Sequence, residues 1–325
     1  MSFKESGQIM KKIYDVYGVG DIMLDLIINA SNEELKKLDI KENVQELINL
    51  EKRDRILNNI NENNQQLKIT GYTLNVFKAL SCMGMKTAFA TKIGMDEFGL
   101  ISQKELKNTR IDFDFKTGFG CTDSCLTFVF PTKSTSKHKH EGISKNISYK
   151  DIDVIKLKQS KELLIDANLL DTRNRMRVAQ FLTRVASESD CRIIFELNNI
   201  NNILKNKDFA KEIIDKSDVI ISSFENAFLY LEENDVNKIM KKLAKPSSIK
   251  ILKTKKEFLA SQNNKTIAIS RLADKSKYKN EYFTAGFIFG FNHNYDLEKS
   301  CILGSYLSGK EFVDDNILDD LHRVF

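Results

Sequence analysis

The chain has few of the residues that mark linkers, disulfide frameworks or membrane spans. Only two of its 325 residues are proline, and no Pro- or Gly-rich linker divides it. Its five cysteines are an odd number, and only Cys121 and Cys125 approach a metal-ligand spacing, without a second pair to complete a zinc site. No apolar run has the length of a membrane span or the character of a signal peptide. These absences predict a cytoplasmic protein with reduced thiols and no membrane partner.

The chain also lacks an excess of charge of one sign. Its 50 lysine and arginine residues nearly balance its 45 aspartate and glutamate residues, and the two signs are mixed along the sequence. A dedicated nucleic-acid-binding protein usually concentrates basic charge on one face, so we expect no nucleic-acid partner. Because apolar residues make up 42% of the chain, it has enough material for a substantial globular core.

The order of the apolar segments indicates an α/β fold. The apolar run at residues 13–30 reads as a buried strand that ends in a Gly-rich turn at residues 18–21. From residue 161 onward apolar strands alternate with amphipathic helices. This alternation is typical of βαβ units on a mostly parallel sheet with helices on both faces. Between residues 111 and 131 the apolar period falls to two, which predicts hairpin strands with one exposed face. We expect a single domain over residues 1–325 with a small β-sheet excursion.

Ligands of such sheets bind beyond the carboxyl ends of the strands. Polar side chains that directly follow predicted strands are therefore candidate site residues. Taken singly, each would more often cap a helix or form a turn. The candidates are Asp21, Asp25, Asp166, Asn168, Glu196, Asn198, Ser222 and Ser223.

A second place where chemistry could occur is the segment at residues 132–142, in which histidines alternate with lysines. His138 and His140, with the lysines around them, could bind phosphate or a metal ion. An exposed, solvated loop is the more common state of such a sequence. We expect an exposed loop.

Four segments, taken in their order, resemble the ribokinase or PfkB family of sugar and nucleoside kinases, especially its bacterial adenosine-kinase-like branch. Residues 14–26, YDVYGVGDIMLDL, match a strand that ends in Gly-Asp with a further Asp behind it. Residues 69–99 resemble the first family motif, and residues 120–131 resemble a lid strand. Residues 279–312 resemble the second motif and the two helices that end the fold. The resemblance implies a ribokinase-like, doubly wound α/β domain. It also implies a small β-sheet lid formed by discontinuous segments at about 26–68 and 111–131.

The resemblance also implies a substrate site for a sugar or nucleoside, such as adenosine, ribose or fructose. Asp25, together with Asp21, would accept hydrogen bonds from the substrate's hydroxyl groups, and Gly71 and Asn75 would lie beneath the same sugar. An ionised carboxylate suits a vicinal diol because it only accepts hydrogen bonds and both hydroxyls can donate. The lid of this family agrees with either a monomer or a homodimer.

The catalytic machinery that the resemblance implies uses ATP and Mg²⁺. The family's Gly-Ala-Gly-Asp motif aligns with Tyr278, Lys279, Asn280 and Glu281, which makes Glu281 the base and assigns Lys279 and Asn280 to the phosphates. Ser223 and Thr254 would lie on the nucleotide side, and Glu225 would hold the metal ion, although the family's Asn-x-x-Glu pattern is displaced there.

The departures from the family pattern leave a second interpretation open. Glu281 carries its carboxylate one methylene, roughly 1.5 Å, further out than aspartate, and a misplacement of about 1 Å can lower a rate about a hundredfold. The motif's glycines are replaced, and residues 253–260 contain no glycine. The alternative is therefore a catalytically impaired or inactive ribokinase-fold protein that binds a sugar, a nucleoside or a protein partner without phosphoryl transfer.

Overall fold

A computed structural model describes residues 10–60, 65–271, 279–310 and 317 of the chain. The strands are β1 (Tyr14–Val19), β2 (Met23–Asn29), β3 (Gln45–Leu47), β4 (Gln65–Thr70), β5 (Thr87–Gly94), β6 (Asp112–Gly118), β7 (Asp123–Val129), β8 (Thr135–His140), β9 (Ser160–Asp166), β10 (Arg192–Leu197), β11 (Val219–Ser223), β12 (Ile249–Lys253), β13 (Glu257–Gln262) and β14 (Lys265–Ser270). The helices are α1 (Asn32–Lys37), α2 (Leu50–Leu57), α3 (Tyr72–Cys82), α4 (Glu97–Leu106), α5 (Val154–Lys158), α6 (Arg173–Glu188), α7 (Ile200–Lys205), α8 (Lys207–Lys216), α9 (Phe224–Leu231), α10 (Val236–Lys242), α11 (Asn280–Asn292) and α12 (Leu297–Ser308).

The larger sheet has the strand order β14-β13-β12-β11-β10-β9-β1-β5-β6. From β12 to β6 every neighbouring pair is parallel, and β13 and β14 add an antiparallel edge. The chain leaves β1 toward β5 and β6 and then crosses to β9 on the other side of β1. The topological switch point therefore lies at the carboxyl ends of β1 and β9, and sheets of this kind bind ligands there.

Helices cover both faces of this sheet, and the buried side chains form two apolar clusters. One cluster includes Phe77 of α3 and Phe283 and Phe287 of α11, and the other includes Leu182 of α6 and Phe195 of β10. The expected α/β class, with a mostly parallel sheet between helical layers, is confirmed. No helix within the described ranges is both long and apolar enough to cross a membrane.

The smaller sheet has the order β3-β8-β7-β2-β4 and differs from the expected lid segments in two ways. Strand β6 pairs in parallel with β5 of the larger sheet, so the hairpin expected over residues 111–131 is not formed. At the sheet edge, Phe113 and Phe115 of β6 stack 4.8 Å apart and Phe113 packs against Phe89, while Asp112 and Asp114 alternate with them. An edge strand therefore produces the same period of two as a hairpin strand.

The second difference is strand β8, which we expected to be an exposed loop. It pairs antiparallel with β7, and His138 is buried. The Nδ1 atom of His138 lies 2.7 Å from a carboxylate oxygen of Glu46, and its ring packs edge-on against Phe128. Alternation of buried Ser136 and His138 with exposed Thr135 and Lys137 explains why a basic sequence forms a strand here.

Candidate functional site

The switch point of the larger sheet carries a charged cluster around Asp21. The two carboxylate oxygens of Asp21, which directly follows β1, accept hydrogen bonds from both terminal nitrogens of Arg175, at 3.0 and 3.3 Å. Arg175 lies in the first turn of α6, is 1% exposed, and also contacts Asp171 at 3.2 Å. Burial raises the pKa of Asp21, but the positive charges of Arg175, Lys145 and Lys139 outweigh it, so the pKa lies below its usual range. Asp21 is therefore held as a carboxylate.

Two further carboxyl groups lie beside this pair. Burial raises the pKa of Asp166, at the end of β9, to about 6, although the Thr73 hydroxyl and the Asn168 amide donate hydrogen bonds to it. Burial and the neighbouring charge of Asp21 likewise raise the pKa of Asp123 to about 6, opposed by hydrogen bonds from Ser144. Asp166 and Asp123 therefore take up protons as the pH falls through about 6, whereas Asp21 stays ionised.

The residues expected to hold a substrate occupy neighbouring positions. Gly71 caps the start of α3 against the Asp21 backbone: a Cβ atom at residue 71 would lie 2.2 Å from the carbonyl oxygen of Asp21, so only glycine fits. Asn75, one turn later, donates its backbone N–H to the Gly71 carbonyl at 2.8 Å. Asp25 lies on β2 of the smaller sheet, where its Oδ1 accepts a hydrogen bond of 2.6 Å from Thr127. The structure thus joins Asp21, Gly71 and Asn75 directly and positions Asp25 on the adjoining sheet.

The helix expected to carry the catalytic base begins at Asn280, with Lys279 as its N-cap residue. Lys279 has an extended backbone (φ −105°), and Asn280 is helical, so neither residue needs the left-handed conformation that favours glycine. Glu281 lies in the first turn and is half-buried. Among the described residues, no group accepts a hydrogen bond from the N–H of Asn280 or Glu281, as is usual at a helix start. Tyr278 lies outside the described residues.

A buried carboxylate, Glu196 at the end of β10, links this helix to the substrate side. It accepts hydrogen bonds from the Tyr72 hydroxyl at 2.5 Å, the Thr284 hydroxyl at 2.9 Å and the Lys253 ammonium at 2.6 Å. Burial raises the pKa of Tyr72 well above its ordinary value, and the charges of Glu196 and then Glu281 raise it further. The charge of Glu281 therefore acts on the first residue of α3, next to Gly71.

A cavity of about 400 Å³ lies at the start of α11, on the side of β11 and β12. It brings together four residues that we assigned from the sequence to the nucleotide and the metal ion, and it adds three basic side chains. Lys279, which we also assigned to the phosphates, is not among the lining residues, and its ammonium lies 5.1 Å from the centroid of the Tyr282 ring. The cavity is lined by Ser223, Glu225, Lys253, Thr254, Lys255, Arg271 and Asn280.

These residues fit the phosphates of ATP and, with them, a magnesium ion. Basic side chains and a helix N-terminus are the groups that bind phosphate in proteins. Within the described ranges, no three His, Cys, Asp or Glu side chains form a metal cluster, and Glu225 is the carboxylate that lines the cavity. Because Mg²⁺ in phosphoryl-transfer sites is usually held by one or two carboxylates together with the substrate phosphates, one carboxylate is enough for it.

Sequence reasoning missed Arg175 and its lysine neighbour Lys145. A signal for Arg175 was nevertheless present, because it precedes buried Val178 and Ala179 by three and four residues and so lies on the apolar stripe of α6. A charged residue on such a stripe needs a buried partner. Asp21, 154 residues earlier, is that partner.

The sequence and the fold both match known kinases. Residues 32–276 match the model of the "pfkB family carbohydrate kinase", a range that contains Gly71 and Asn75 but ends before Glu281. No match was found among curated proteins.

Three solved structures illustrate the fold match. Adenosine kinase from Sinorhizobium meliloti aligns with a TM-score of 0.79 at 16% identity, covering 96% of this chain and 99% of that one. A probable sugar kinase from Rhizobium etli aligns with a TM-score of 0.80 at 14% identity, covering 97% and 99%. Adenosine kinase from Trypanosoma brucei brucei aligns with a TM-score of 0.81 at 15% identity, covering 92% and 99%. The family expected from the sequence is therefore confirmed, and this chain belongs to the pfkB family of carbohydrate kinases.

Proposed function

We propose that this protein transfers the γ-phosphate of ATP to a primary hydroxyl group of a sugar or nucleoside. The observation that carries the proposal is the location of Glu281. It lies in the first turn of α11, where its charge acts on Tyr72 of the substrate-side helix and its neighbour Asn280 lines the basic cavity. Phosphoryl transfer needs a base for the attacking hydroxyl between the substrate and the phosphates, and a carboxylate at this position can serve as that base.

On the substrate side, ionised carboxylates would orient the hydroxyl groups. Asp25 accepts one hydrogen bond from Thr127 and has further lone pairs for a substrate. Asp21 is kept ionised by buried Arg175, and Gly71 allows a close approach of the chain at the start of α3. The smaller sheet, which carries Asp25, would act as the lid over the substrate.

On the phosphate side, the helix start and the cavity would hold the anion. The N–H groups of Asn280 and Glu281 point along the helix axis at its positive end, where negative charge is stabilised. Magnesium-bound ATP would supply the phosphoryl group. Glu225 would hold the metal ion, and Ser223 and Asn280 would contact the phosphates. Glu281 would take the proton of the attacking hydroxyl.

The similar structures point to two substrate classes, nucleosides and sugars. Two of the similar structures are named adenosine kinases, and one is named a probable sugar kinase. A substrate panel is therefore the direct test: purified protein with ATP and Mg²⁺, offered adenosine, ribose and fructose in turn, with ADP release and product phosphate measured. In parallel, the thermal unfolding temperature of the protein is measured with each ligand.

We expect ADP release that depends on one of the alcohols, and stabilisation by both that alcohol and ATP–Mg²⁺. Stabilisation by an alcohol without any ADP release, and without a response to ATP–Mg²⁺, would contradict the proposal. That result would instead support the non-catalytic binding protein that remained open from the sequence. The observation that favours this second function is that Glu281 stands where the family motif has an aspartate.

A further inference from the structure

The five cysteines, all of which lie in the described part of the chain, form no disulfide bond and differ in exposure. Cys125, Cys191 and Cys301 are buried, and burial raises the pKa of each thiol, to about 12 for Cys191 and Cys301. Because a thiol reacts through its thiolate, these three are unreactive near neutral pH. Cys82 and Cys121 are half-buried, so a reagent in solution can reach them.

Cys121 lies on the loop that leads from β6 of the larger sheet to β7 of the smaller one, and its backbone is fixed on both sides. Its carbonyl accepts a hydrogen bond of 2.9 Å from the N–H of Ile143, and the N–H of Thr122 donates to Asp96 at 2.9 Å. The sulfur atom of Cys121 accepts a hydrogen bond of 3.7 Å from Nη2 of Arg53. The thiol and the guanidinium are therefore held side by side before any reagent arrives.

Arg53 lies on α2, which connects β3 and β4 of the smaller sheet, and it is an unusually buried arginine. It is 8% exposed, and its guanidinium packs over the Phe98 ring, 5.4 Å from the ring centroid. Asp54 contacts Nε at 2.9 Å and Nη2 at 2.8 Å, so this half-exposed carboxylate offsets the positive charge on that side of the group. Nη1, by contrast, is buried and has no hydrogen-bond partner within the part of the chain that the structure describes. A buried donor without a partner is costly, because it has lost its hydrogen bonds to water.

The unpartnered nitrogen and the neighbouring sulfur together define a ligand. A carboxylate pairs strongly with a guanidinium nitrogen, and a thiolate is the nucleophile that exchanges with a disulfide. A small disulfide with a carboxylate a few bonds from its sulfur atoms would therefore place the carboxylate on Nη1 of Arg53 and one sulfur on Cys121.

We propose that Cys121 is a modification site for small disulfides that carry a carboxylate, and that Arg53 binds this carboxylate. In the exchange, the thiolate of Cys121 attacks one sulfur atom of the disulfide, and the new S–S bond forms as the old one breaks. The other half leaves as a thiolate and takes up the proton that Cys121 released, so no further oxidant is needed. The site uses neither ATP nor an alcohol and is independent of the proposed function.

The experiment compares three small disulfides that differ in charge. Dithiodipropionate carries carboxylates, hydroxyethyl disulfide is neutral, and cystamine carries ammonium groups. Each is added to the native protein, and the adduct at Cys121 is followed over time by mass spectrometry of the intact chain and of its peptides. The quantity compared is the rate with each charged disulfide divided by the rate with the neutral one. Because all three reagents meet the same thiol, this ratio cancels any change in the exposure of Cys121.

We expect Arg53→Gln to lower the dithiodipropionate ratio about tenfold and to raise the cystamine ratio, because the carboxylate loses a charge-assisted hydrogen bond. Arg53→Lys keeps the charge without the planar fork and should retain part of the preference. Asp54→Asn removes the competing carboxylate and should raise the dithiodipropionate ratio. Arg55→Gln is the matched control: it removes the same charge from an exposed position on α2, and its ratios should stay within about twofold of the wild type.

Thermal unfolding of each variant checks that it is folded. If dithiodipropionate forms no adduct at Cys121, the residue is not a modification site for such disulfides. If folded Arg53→Gln keeps the wild-type ratios, Arg53 does not bind the carboxylate and Cys121 is only an accessible thiol. If Arg53→Gln does not fold, Asp54→Asn decides, because an unchanged or lower dithiodipropionate ratio would contradict the proposal. The readout is a mass and not turnover, so these results do not depend on the outcome of the substrate panel.

Discussion

Glu196 and Lys253 form an ion pair of 2.6 Å whose side chains are only 1% and 4% exposed. Removing two charges from water is unfavourable, and their attraction offsets this only when further hydrogen bonds satisfy the group. Tyr72 and Thr284 supply those bonds to Glu196. The pair therefore ties the start of α3, strands β10 and β12, and helix α11 to one buried carboxylate.

Replacing Glu196 should destabilise the fold more than replacing either of its hydroxyl donors. Glu196→Ala leaves the ammonium of Lys253 buried without a partner, and we expect a loss of about 3–5 kcal/mol in the free energy of unfolding. Thr284→Val and Tyr72→Phe each remove a hydroxyl group that donates to the charged carboxylate, and each should cost about 1.5–3 kcal/mol. Urea denaturation measures all three. A Glu196→Ala protein as stable as Thr284→Val would show that the ion pair does not hold these elements together.

Glu281 should be needed for turnover but not for folding. Glu281→Gln keeps the size of the side chain but cannot accept a proton, and we expect kcat to fall about a hundredfold or more, the usual contribution of a general base. Glu281→Asp keeps the carboxylate and should retain more activity than the Gln variant. Steady-state kinetics with the substrate found in the panel measure both. Wild-type kcat in Glu281→Gln would mean that another group is the base.

Gly71 should be intolerant of any side chain. A Cβ atom there would lie 2.2 Å from the Asp21 carbonyl oxygen, and backbone can move away only by shifting β1 or α3. We expect Gly71→Ala to lose substrate binding and about 1–3 kcal/mol of stability, as for an overpacked site.

Gly118→Ala is the matched control, because its Cβ atom would meet only side-chain ends, the Ile143 Cδ1 atom at 2.8 Å and the Lys92 Cε atom at 3.2 Å. These ends can rotate, so substrate binding should be close to that of the wild type. Calorimetric titration of the substrate and thermal unfolding compare the two variants. Equal substrate affinities in both would contradict the close contact at Gly71.

The pH dependence of stability should contain a contribution from Glu162, on β9. Burial raises the pKa of Glu162 to about 7, although Arg192 contacts it at 2.5 Å. Between the ordinary pKa of a glutamate and about 7, the folded protein binds a proton that the unfolded chain has released. The free energy of unfolding contributed by this group therefore falls as the pH rises from about 4.5 to about 7, and stays low above that.

Glu162→Gln should remove this contribution. We expect the variant to be more stable than the wild type at pH 8, by about 1–3 kcal/mol, and to show no such gain at pH 4. Glu188→Gln, an exposed change on the neighbouring helix α6, should differ from the wild type by less than about 0.5 kcal/mol at both values. Urea denaturation at pH 4 and pH 8 gives the comparison. A Glu162→Gln protein less stable than the wild type at pH 8 would mean that the ion pair with Arg192 outweighs burial.

Much of the fold could be predicted because its signals are local. Strands β9 to β12 are short apolar runs between amphipathic helices, and this alternation alone indicates a parallel sheet. The errors concerned β6 and β8, whose partners are decided at a distance. Alternating Phe113 and Phe115 suit either a hairpin or a sheet edge, and the lysine-rich β8 forms a strand because β7 and β3 are beside it.

The sequence by itself determined the order of the elements and the family, because helix and strand periods and short motifs depend only on residues that are close in the sequence. It also named Glu196 and Asp21 as polar residues that follow strands. Only the tertiary structure decided what they do. Glu196 meets Lys253 across 57 residues and Asp21 meets Arg175 across 154, contacts that depend on how the strands are ordered in the sheet. The same packing brings Arg53 against Cys121, 68 residues later in the chain.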